Sequence, residues 1–158
     1  MPEPPVHIRS ARPQDRGWIL PLAPRLHEFG PPPYRPRDQM DRAVIASIDE
    51  ALSGARSDAA VFVAVNTSGE PLGLIHLHGA TDFFTGESHG HVSDIVVMPE
   101  AEGHGVGQAL MAAAEDWARA LGYRVLSLHV FDGNARARAF YQRLGYRPDV
   151  LKLIKPLR

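Results

Sequence analysis

A glycine-rich turn between an apolar strand and a long amphipathic helix most constrains the fold of this chain. The segment from Val96 to Gly107 reads VVMPEAEGHGVG. Its glycines permit positive φ and close approach of phosphate groups, and a helix N-terminus favours bound anions. The residues after Gly107 lack the Lys-Ser/Thr of a P-loop, and Gly103, Gly105 and Gly107 lack the dinucleotide-binding spacing. The segment therefore indicates an anion-binding turn or, as the alternative, a flexible strand–helix connection.

Hydrophobic periodicity divides the remaining chain into strands and helices in the order β-α-α-β-β-β-α-β-α-β. Pro21 and Pro24 predict a kinked or broken first helix. The hairpin-connected strands and the crossover predict an α/β (α+β) fold. Its mixed, mostly antiparallel central sheet has six to seven strands flanked by about four helices, in a single domain over residues 1–158. The predicted strands cover residues 6–8, 60–65, 72–77, 89–98, 125–131 and 150–154, and the predicted helices cover residues 14–29, 40–52, 106–121 and 135–144.

Composition excludes several classes of protein. The chain has 158 residues, a net charge of −1 and no cysteine. Near-neutral charge gives no electrostatic footprint for nucleic acid, and no apolar run approaches the roughly 18 residues of a membrane helix. The first ten residues lack the basic and apolar regions of a signal peptide. We therefore expect a cytoplasmic protein without disulfides and without nucleic-acid or membrane partners.

A second informative segment, residues 134–146, reads NARARAFYQRLGY. Alone it predicts a helix capped by Asn134 with aromatic residues in the core. In this order and separation, the two segments resemble the GNAT superfamily of acyl-CoA-dependent N-acyltransferases, and the resemblance extends from about His91 to Tyr146. Residues 9–15 are more loosely similar to the usual start of the family. The resemblance implies that acetyl-CoA is the co-substrate and that the fold is GNAT-like, with a mixed central sheet flanked by helices.

The resemblance also implies a role for each matching residue. Main-chain groups of Ile95 and Val97 are expected to hold the pantetheine arm, with Asn134 close to it. Tyr141 is expected to be the general acid that protonates the leaving thiolate. Backbone amides along the turn are expected to bind the pyrophosphate of coenzyme A, and they belong to Gly103, His104, Gly105, Val106, Gly107 and Gln108.

One position departs from the family pattern. Glu102 stands where the family has Gln or Arg. A carboxylate beside a pyrophosphate is unfavourable unless it turns away or pairs with a cation. The sequence offers three arginines of the last helix as compensating charges, Arg136, Arg138 and Arg143, or these form a solvated helix face.

The general base is expected on the strand that precedes the turn. Family members with a carboxylate base on this strand have it at about the position of His91 or Ser93, so His91 is the expected base and a water chain is the alternative. Strict alternation places His91, Ser93, Ile95 and Val97 on one face and turns Asp94 away. The histidines at 76, 78, 89 and 91 also admit a zinc site. The prediction is that no metal is bound and that these are ordinary sheet histidines.

The acceptor is expected to be the amine of a small molecule or a peptide. Aromatic residues suggest an apolar-walled site, and the predicted contacts are Phe29, Tyr34, Phe83, Phe84 and Ser93. The resemblance also admits a homodimer. Two other functions stay open: an acyl-CoA-binding regulatory domain with weak or no catalysis, and a metal-binding protein built on the four histidines.

Overall fold

The computed structural model describes residues 5–28 and 34–157. Five strands and four α-helices are present in this part of the chain. Short 3-10 helices occur at Pro13–Asp15, Leu20–His27 and Pro99–Ala101. The strands are β1 (His7–Ser10), β2 (Ala60–Val65), β3 (Pro71–Thr81), β4 (Ser88–Val97) and β5 (Leu126–Leu128), and the helices are α1 (Arg16–Ile19), α2 (Arg37–Leu52), α3 (Val106–Ala120) and α4 (Ala135–Arg143).

The strands form one mixed sheet in the order β1-β2-β3-β4-β5. The first four strands are antiparallel to their neighbours, and β5 runs parallel to β4. The predicted mixed, mostly antiparallel architecture is therefore confirmed, as is the number of helices. Within the described residues, no helix is both long and apolar enough to cross a membrane.

The predicted count of six to seven strands is too high, since the described residues contain five. No strand forms at 150–154, where Leu151 and Leu153 are 80% and 90% exposed. Apolar residues come there in adjacent pairs, Val150-Leu151 and Leu153-Ile154, which would place apolar side chains on both faces of a strand. The last strand of the sheet, β5, has only three residues and gives such a segment few partners.

Both faces of the sheet are covered by helices. Helix α3 packs on one face, with buried residues such as Leu110 and Met111 against Ile75 and Leu77. The other face is covered by α1, α2 and the 3-10 helix between them. The core of this second face contains Ile19, Ile48, Val63, Leu74 and Val96. Strands β3 and β4 contribute to both cores and are therefore fixed from two sides.

The first helical region is broken, as its prolines predict. A short α1 passes into the 3-10 helix Leu20–His27, which contains Pro24. Upstream, the buried carboxylate of Asp15 accepts two hydrogen bonds from Arg9, at 2.7 and 3.0 Å, and one from the Trp18 indole. These contacts, the Arg9 bonds first among them, hold the pKa of Asp15 well below its usual range. The region that follows β1 is thus anchored to the sheet by a partly buried ion pair.

Candidate active site

The pairing of β4 with β5 ends partway along β4 and, among the residues that the structure describes, leaves the rest of this strand edge open. Residues 90–92 pair with residues 126–128, whereas β4 continues to Val97. Ile95 and Val97 lie opposite Ile75 and Gly73, and the Met98 amide donates to Leu72 at 2.8 Å. This bond makes the positions of Ile95 and Val97 non-hydrogen-bonded pairs with β3. Their N–H and C=O groups therefore point to the open edge, where an extended ligand can add as a strand.

A β-bulge at Ser93 changes which side chains of β4 share a face. His76 pairs with Asp94 and Leu77 pairs with Val92, so Ser93 is the extra residue. Ile95 and Val97 pack against the α3 core, whereas the His91 ring lies beside that of His78 on the α2 face. The prediction that His91 shares a face with Ile95 and Val97 is therefore wrong. Asp94 also lies on the α2 face, because it bonds His76, so the prediction that it turns away from His91 is wrong too.

The glycine-rich turn has the backbone geometry of an anion site. Gly103 and Gly105 adopt φ of +79° and +78°, which strongly favours glycine. The first helical bond of α3 runs from the Ala109 amide to the Gly105 carbonyl. The amides of residues 106–108 therefore have no acceptor within the helix and are available to an anion. His104 lies exposed between the two glycines.

Gly107 serves helix packing as well. A Cβ at this position would lie 3.2 Å from Cζ of Phe140 and 3.8 Å from a methyl of Val97. The absence of a side chain thus lets α3 approach both α4 and the open edge of β4. Gly107, which belongs to the turn, therefore helps to determine how closely α4 packs against α3.

The carboxylate of Glu102 is paired with two arginines. Arg25, from the 3-10 helix Leu20–His27, donates to Oε1 at 2.7 Å, and Arg136 of α4 donates to Oε2 at 3.4 Å. The sequence indicated Arg136 as a compensating charge for Glu102. It did not indicate Arg25, because Arg25 lies 77 residues before Glu102 and no local sequence pattern links the two. Arg138 instead bonds Asp132. Because Glu102 is neutralised, its charge does not stand alone beside the turn.

Asn134 and Tyr141 lie at the start and near the end of α4. The Asn134 side chain accepts from the Ala137 amide at 3.2 Å, which makes it the N-cap. It also lines a cavity of about 220 Å³ together with Arg136. Tyr141 packs between Phe140 and Tyr146, and burial raises the pKa of its hydroxyl to about 12. That hydroxyl is protonated at neutral pH and can donate a proton.

A row of imidazoles crosses the α2 face of the sheet. Ring centroids are 5.9 Å apart for His76 and His78, 5.2 Å for His78 and His91, and 4.8 Å for His91 and His129. His76 is buried and its Nδ1 lies 2.8 Å from Asp94. No group of three or more His, Cys, Asp or Glu residues in the described part of the chain is arranged to hold a metal ion.

The environment of His91 perturbs its pKa. Its pKa is lowered to about 4, first by burial and then by the neighbouring His129, His78 and His89. Its Nδ1 lies 2.8 Å from the Ser127 hydroxyl. The sequence reasoning missed Ser127 and His129. Ser127 pairs with His91 in β5, and His129 follows that strand with its ring beside His91. The two-residue spacing of Ser127 and His129 was the available signal.

The predicted acceptor contacts lie in different places. Tyr34 is 40% exposed beside the guanidinium of Arg35, and Ser93 is half-buried at the bulge. Phe83 and Phe84 are 92% and 85% exposed at the tip of the β3–β4 hairpin, at the opposite end of β4 from the open edge. Phe29 lies outside the described residues.

An open β4 edge, a glycine-rich turn before α3 and a tyrosine on α4 are the features expected of a coenzyme A-dependent acyltransferase. The Acetyltransferase (GNAT) family model matches residues 23–146. The chain therefore belongs to the GNAT family and is an acyltransferase of the N-acetyltransferase type.

Individual proteins agree with this assignment. The uncharacterized N-acetyltransferase YhfO of Bacillus subtilis is 29% identical over 146 residues, which is 91% of each chain. The aminoalkylphosphonate N-acetyltransferase of Salmonella typhimurium is 31% identical over 90 residues, covering 57% of this chain and 58% of that protein. The structure of aminoglycoside N-acetyltransferase AAC(6')-Iy in complex with CoA superposes with a TM-score of 0.75 at 21% identity, covering 98% and 96% of the two chains, and supports the fold.

Proposed function

We propose that this protein transfers the acetyl group of acetyl-CoA to a primary amine of a small molecule or peptide, by direct attack within a ternary complex. The observation that carries the proposal is the open edge of β4, which ends in a turn with unpaired amides. One continuous surface thus offers main-chain groups to an extended arm and then to an anion. The single domain of residues 1–158 is part of the same proposal.

The cofactor-binding roles follow from the geometry of this surface. Main-chain groups of Ile95 and Val97 are proposed to bind the pantetheine arm, with Asn134 alongside. The backbone at Gly103, His104 and Gly105 is proposed to bind the pyrophosphate with the amides of Val106, Gly107 and Gln108. Acetyl-CoA supplies the acetyl group as a thioester. Negative charge that develops on its carbonyl oxygen is stabilised by a backbone amide of the open edge, for which Val97 is proposed.

Two side chains are proposed to move protons. A free alkylammonium has a pKa of about 10.4, so a base must help to produce the neutral amine. His91 is proposed as that base from its place on β4 and its lone pair at neutral pH. Because burial lowers its pKa to about 4 and weakens it as a base, a water chain is the alternative. Tyr141 is proposed as the acid for the departing thiolate, since its hydroxyl holds its proton at that pH.

The proposal for the acceptor names a class of substrate, amines, and no particular compound. Relatives and structural neighbours carry the names of enzymes for aminoalkylphosphonates and aminoglycosides, which are small-molecule amines. Tyr34 and Ser93 are proposed to contact the acceptor, together with Phe29. Phe83 and Phe84 lie far along the hairpin, so they would contact only an extended acceptor such as a peptide.

The test is thiol release from acetyl-CoA against a panel of amines, with acceptor products identified by mass spectrometry. Release that depends on one amine class supports the proposal. Tight acetyl-CoA binding without release for any acceptor would instead support an acyl-CoA-binding regulatory domain. Longer acyl-CoAs in the same assay define the acyl preference.

A homodimer and a cytoplasmic location also stay predictions. Sedimentation equilibrium of the full chain across a range of concentrations tests the first, and cell fractionation tests the second. A monomer at every concentration would contradict the homodimer.

A further inference from the structure

A single hydroxyl joins two histidines of β4 at the start of the open edge. Ser127 lies opposite His91 in the parallel register of β5. Its Oγ is 2.8 Å from Nδ1 of His91 and 3.1 Å from Nε2 of His89. The Gly90 carbonyl is more distant, at 3.5 Å. Because a hydroxyl can donate one hydrogen bond while accepting another, Ser127 can link both rings in one hydrogen-bonded chain.

We propose that His91, Ser127 and His89 form a proton relay that carries a proton of the acceptor amine away from the open edge of β4. The inference rests on the proposed acetyl transfer with His91 as base. Ser127 occupies Nδ1 of His91, so Nε2 is the nitrogen available to the amine. The relay gives Ser127 and His89 a role in proton transport. The proposed acetyl transfer alone gives these two residues no role.

The proton transfers balance. Nε2 of His91 takes a proton from the ammonium, and Nδ1 passes its proton to the Ser127 oxygen. The hydroxyl proton of Ser127 moves to Nε2 of His89, which releases a proton to solvent from Nδ1. On the way to an amide the nitrogen loses two protons. One leaves by this relay, and the second passes to solvent, from which Tyr141 recovers the proton that it gives to the thiolate. Exchange of the imidazole tautomers through solvent restores the starting state.

The electrostatics oppose a resting proton on His91 and favour its onward transfer to His89. A proton on His91 is disfavoured by burial and by the neighbouring imidazoles of His78, His89 and His129, and Asp94 opposes these effects only in part. Asp82 lies at the other end of the relay. Its pKa is lowered first by backbone hydrogen bonds from Thr85 and Phe84, and also by the nearby charge of His89. Positive charge therefore moves from a cluster of imidazoles towards a carboxylate.

Kinetics of matched variants test the relay. Ser127→Ala and His89→Gln are expected to lower kcat by roughly 10-fold to 10²-fold, with an unchanged Kd for coenzyme A. Ser127→Thr keeps the hydroxyl and is expected to retain most of the activity. Ser10→Ala removes a strand hydroxyl at the other edge of the sheet and is expected to equal wild type.

Buffer rescue separates proton transport from structural damage. A small imidazole buffer can accept the stranded proton, so it is expected to restore turnover of Ser127→Ala and His89→Gln in a concentration-dependent way. It is expected not to restore Tyr141→Phe, whose defect lies at the thiolate. Variants that equal wild type, or that lose activity without any rescue, would overturn the relay.

Nuclear magnetic resonance gives a readout that needs no turnover. Long-range ¹H–¹⁵N spectra of the coenzyme-free protein are expected to show His91 protonated at Nδ1, with a changed tautomer population in Ser127→Ala. Protonation of wild-type His91 at Nε2 would overturn the relay, because that nitrogen then has no lone pair for the amine. A wild-type protein that acetylates no amine overturns the proposed function and the relay together, whereas normal transfer by the variants overturns the relay alone.

Discussion

At the scale of single residues, the Tyr141 hydroxyl separates chemistry from binding. We expect Tyr141→Phe to lower kcat by about 10²-fold to 10⁴-fold, because the thiolate loses its proton donor. The Kd for coenzyme A should not change, since the ring keeps its packing against Phe140. Thiol-release kinetics and calorimetry measure the two quantities. Tyr146→Phe is the control, because its hydroxyl donates to Glu115 instead. A normal kcat in Tyr141→Phe would remove this residue from the mechanism.

His91 also predicts how stability depends on pH. The folded protein keeps its imidazole neutral down to about pH 4, whereas the unfolded chain takes up a proton near pH 6.5. Acid therefore favours the unfolded chain, and stability contributed by the neutral ring is lost as pH falls from about 6.5 to about 4. His78, His89 and His129 strengthen the effect, and Asp94 weakens it. The Tm of His91→Gln should depend less on pH in this window, and identical Tm profiles would contradict the assignment.

At the scale of elements, Arg25 connects the 3-10 helix Leu20–His27 with the glycine-rich turn. Arg25→Gln leaves Glu102 with only the longer contact to Arg136. We expect the affinity for coenzyme A to fall by about threefold to tenfold, which corresponds to roughly 1 kcal/mol for a partly exposed ion pair. Adding Glu102→Gln to that variant should restore the affinity, because no carboxylate then faces the pyrophosphate. Calorimetry of the four proteins in this cycle decides, and additive effects would show that the pair is not coupled.

The contact between α3 and α4 depends on Gly107. A Cβ in Gly107→Ala would lie 3.2 Å from Cζ of Phe140, so the ring or the helix must shift. We expect a loss of about 1–3 kcal/mol in the free energy of unfolding. Gly17→Ala in α1 meets nothing within 4 Å and should be neutral or slightly stabilising. Denaturant titrations compare the two, and equal stabilities would show that the helices do not constrain each other here.

Local patterns predicted the elements that depend on local chemistry. The β-branched and aromatic run of β2 predicted its bounds, and Pro21 and Pro24 predicted the broken first helix. The positive φ of Gly105 was foreseeable because the turn needs it. The Ser93 bulge was not, since it arises only when β4 is paired with β3. The contacts of Ser127 and Arg25 likewise depend on pairing between segments that are distant in sequence. Local hydrophobic periodicity carries no information about such pairing.

At the scale of the whole molecule, removal of the C-terminal segment tests whether this segment contributes to the stability of the folded domain. Residues 147–157 form neither helix nor strand, and Val150, Leu151 and Leu153 are largely exposed. Removal of residues 148–158 should therefore cost less than about 1 kcal/mol of unfolding free energy, as expected for a segment with little burial. Urea denaturation measures it, with Leu153→Lys in the full chain as a milder comparison. A loss of several kcal/mol would show that this segment completes the sheet as the strand that the sequence predicts.

The bulge at Ser93 makes β4 a strand with two independent uses. Before the bulge the odd-numbered side chains face α2, and after it the even-numbered ones do, while the main chain of Ile95 and Val97 stays at the open edge. Substitutions at His89, His91 or Asp94 therefore change the α2 face, the proposed acceptor side, without altering the backbone groups proposed to bind the cofactor. Acceptor preference and cofactor affinity should thus be tunable separately, within a single strand, by choosing between α2-facing side chains and residues of the open edge.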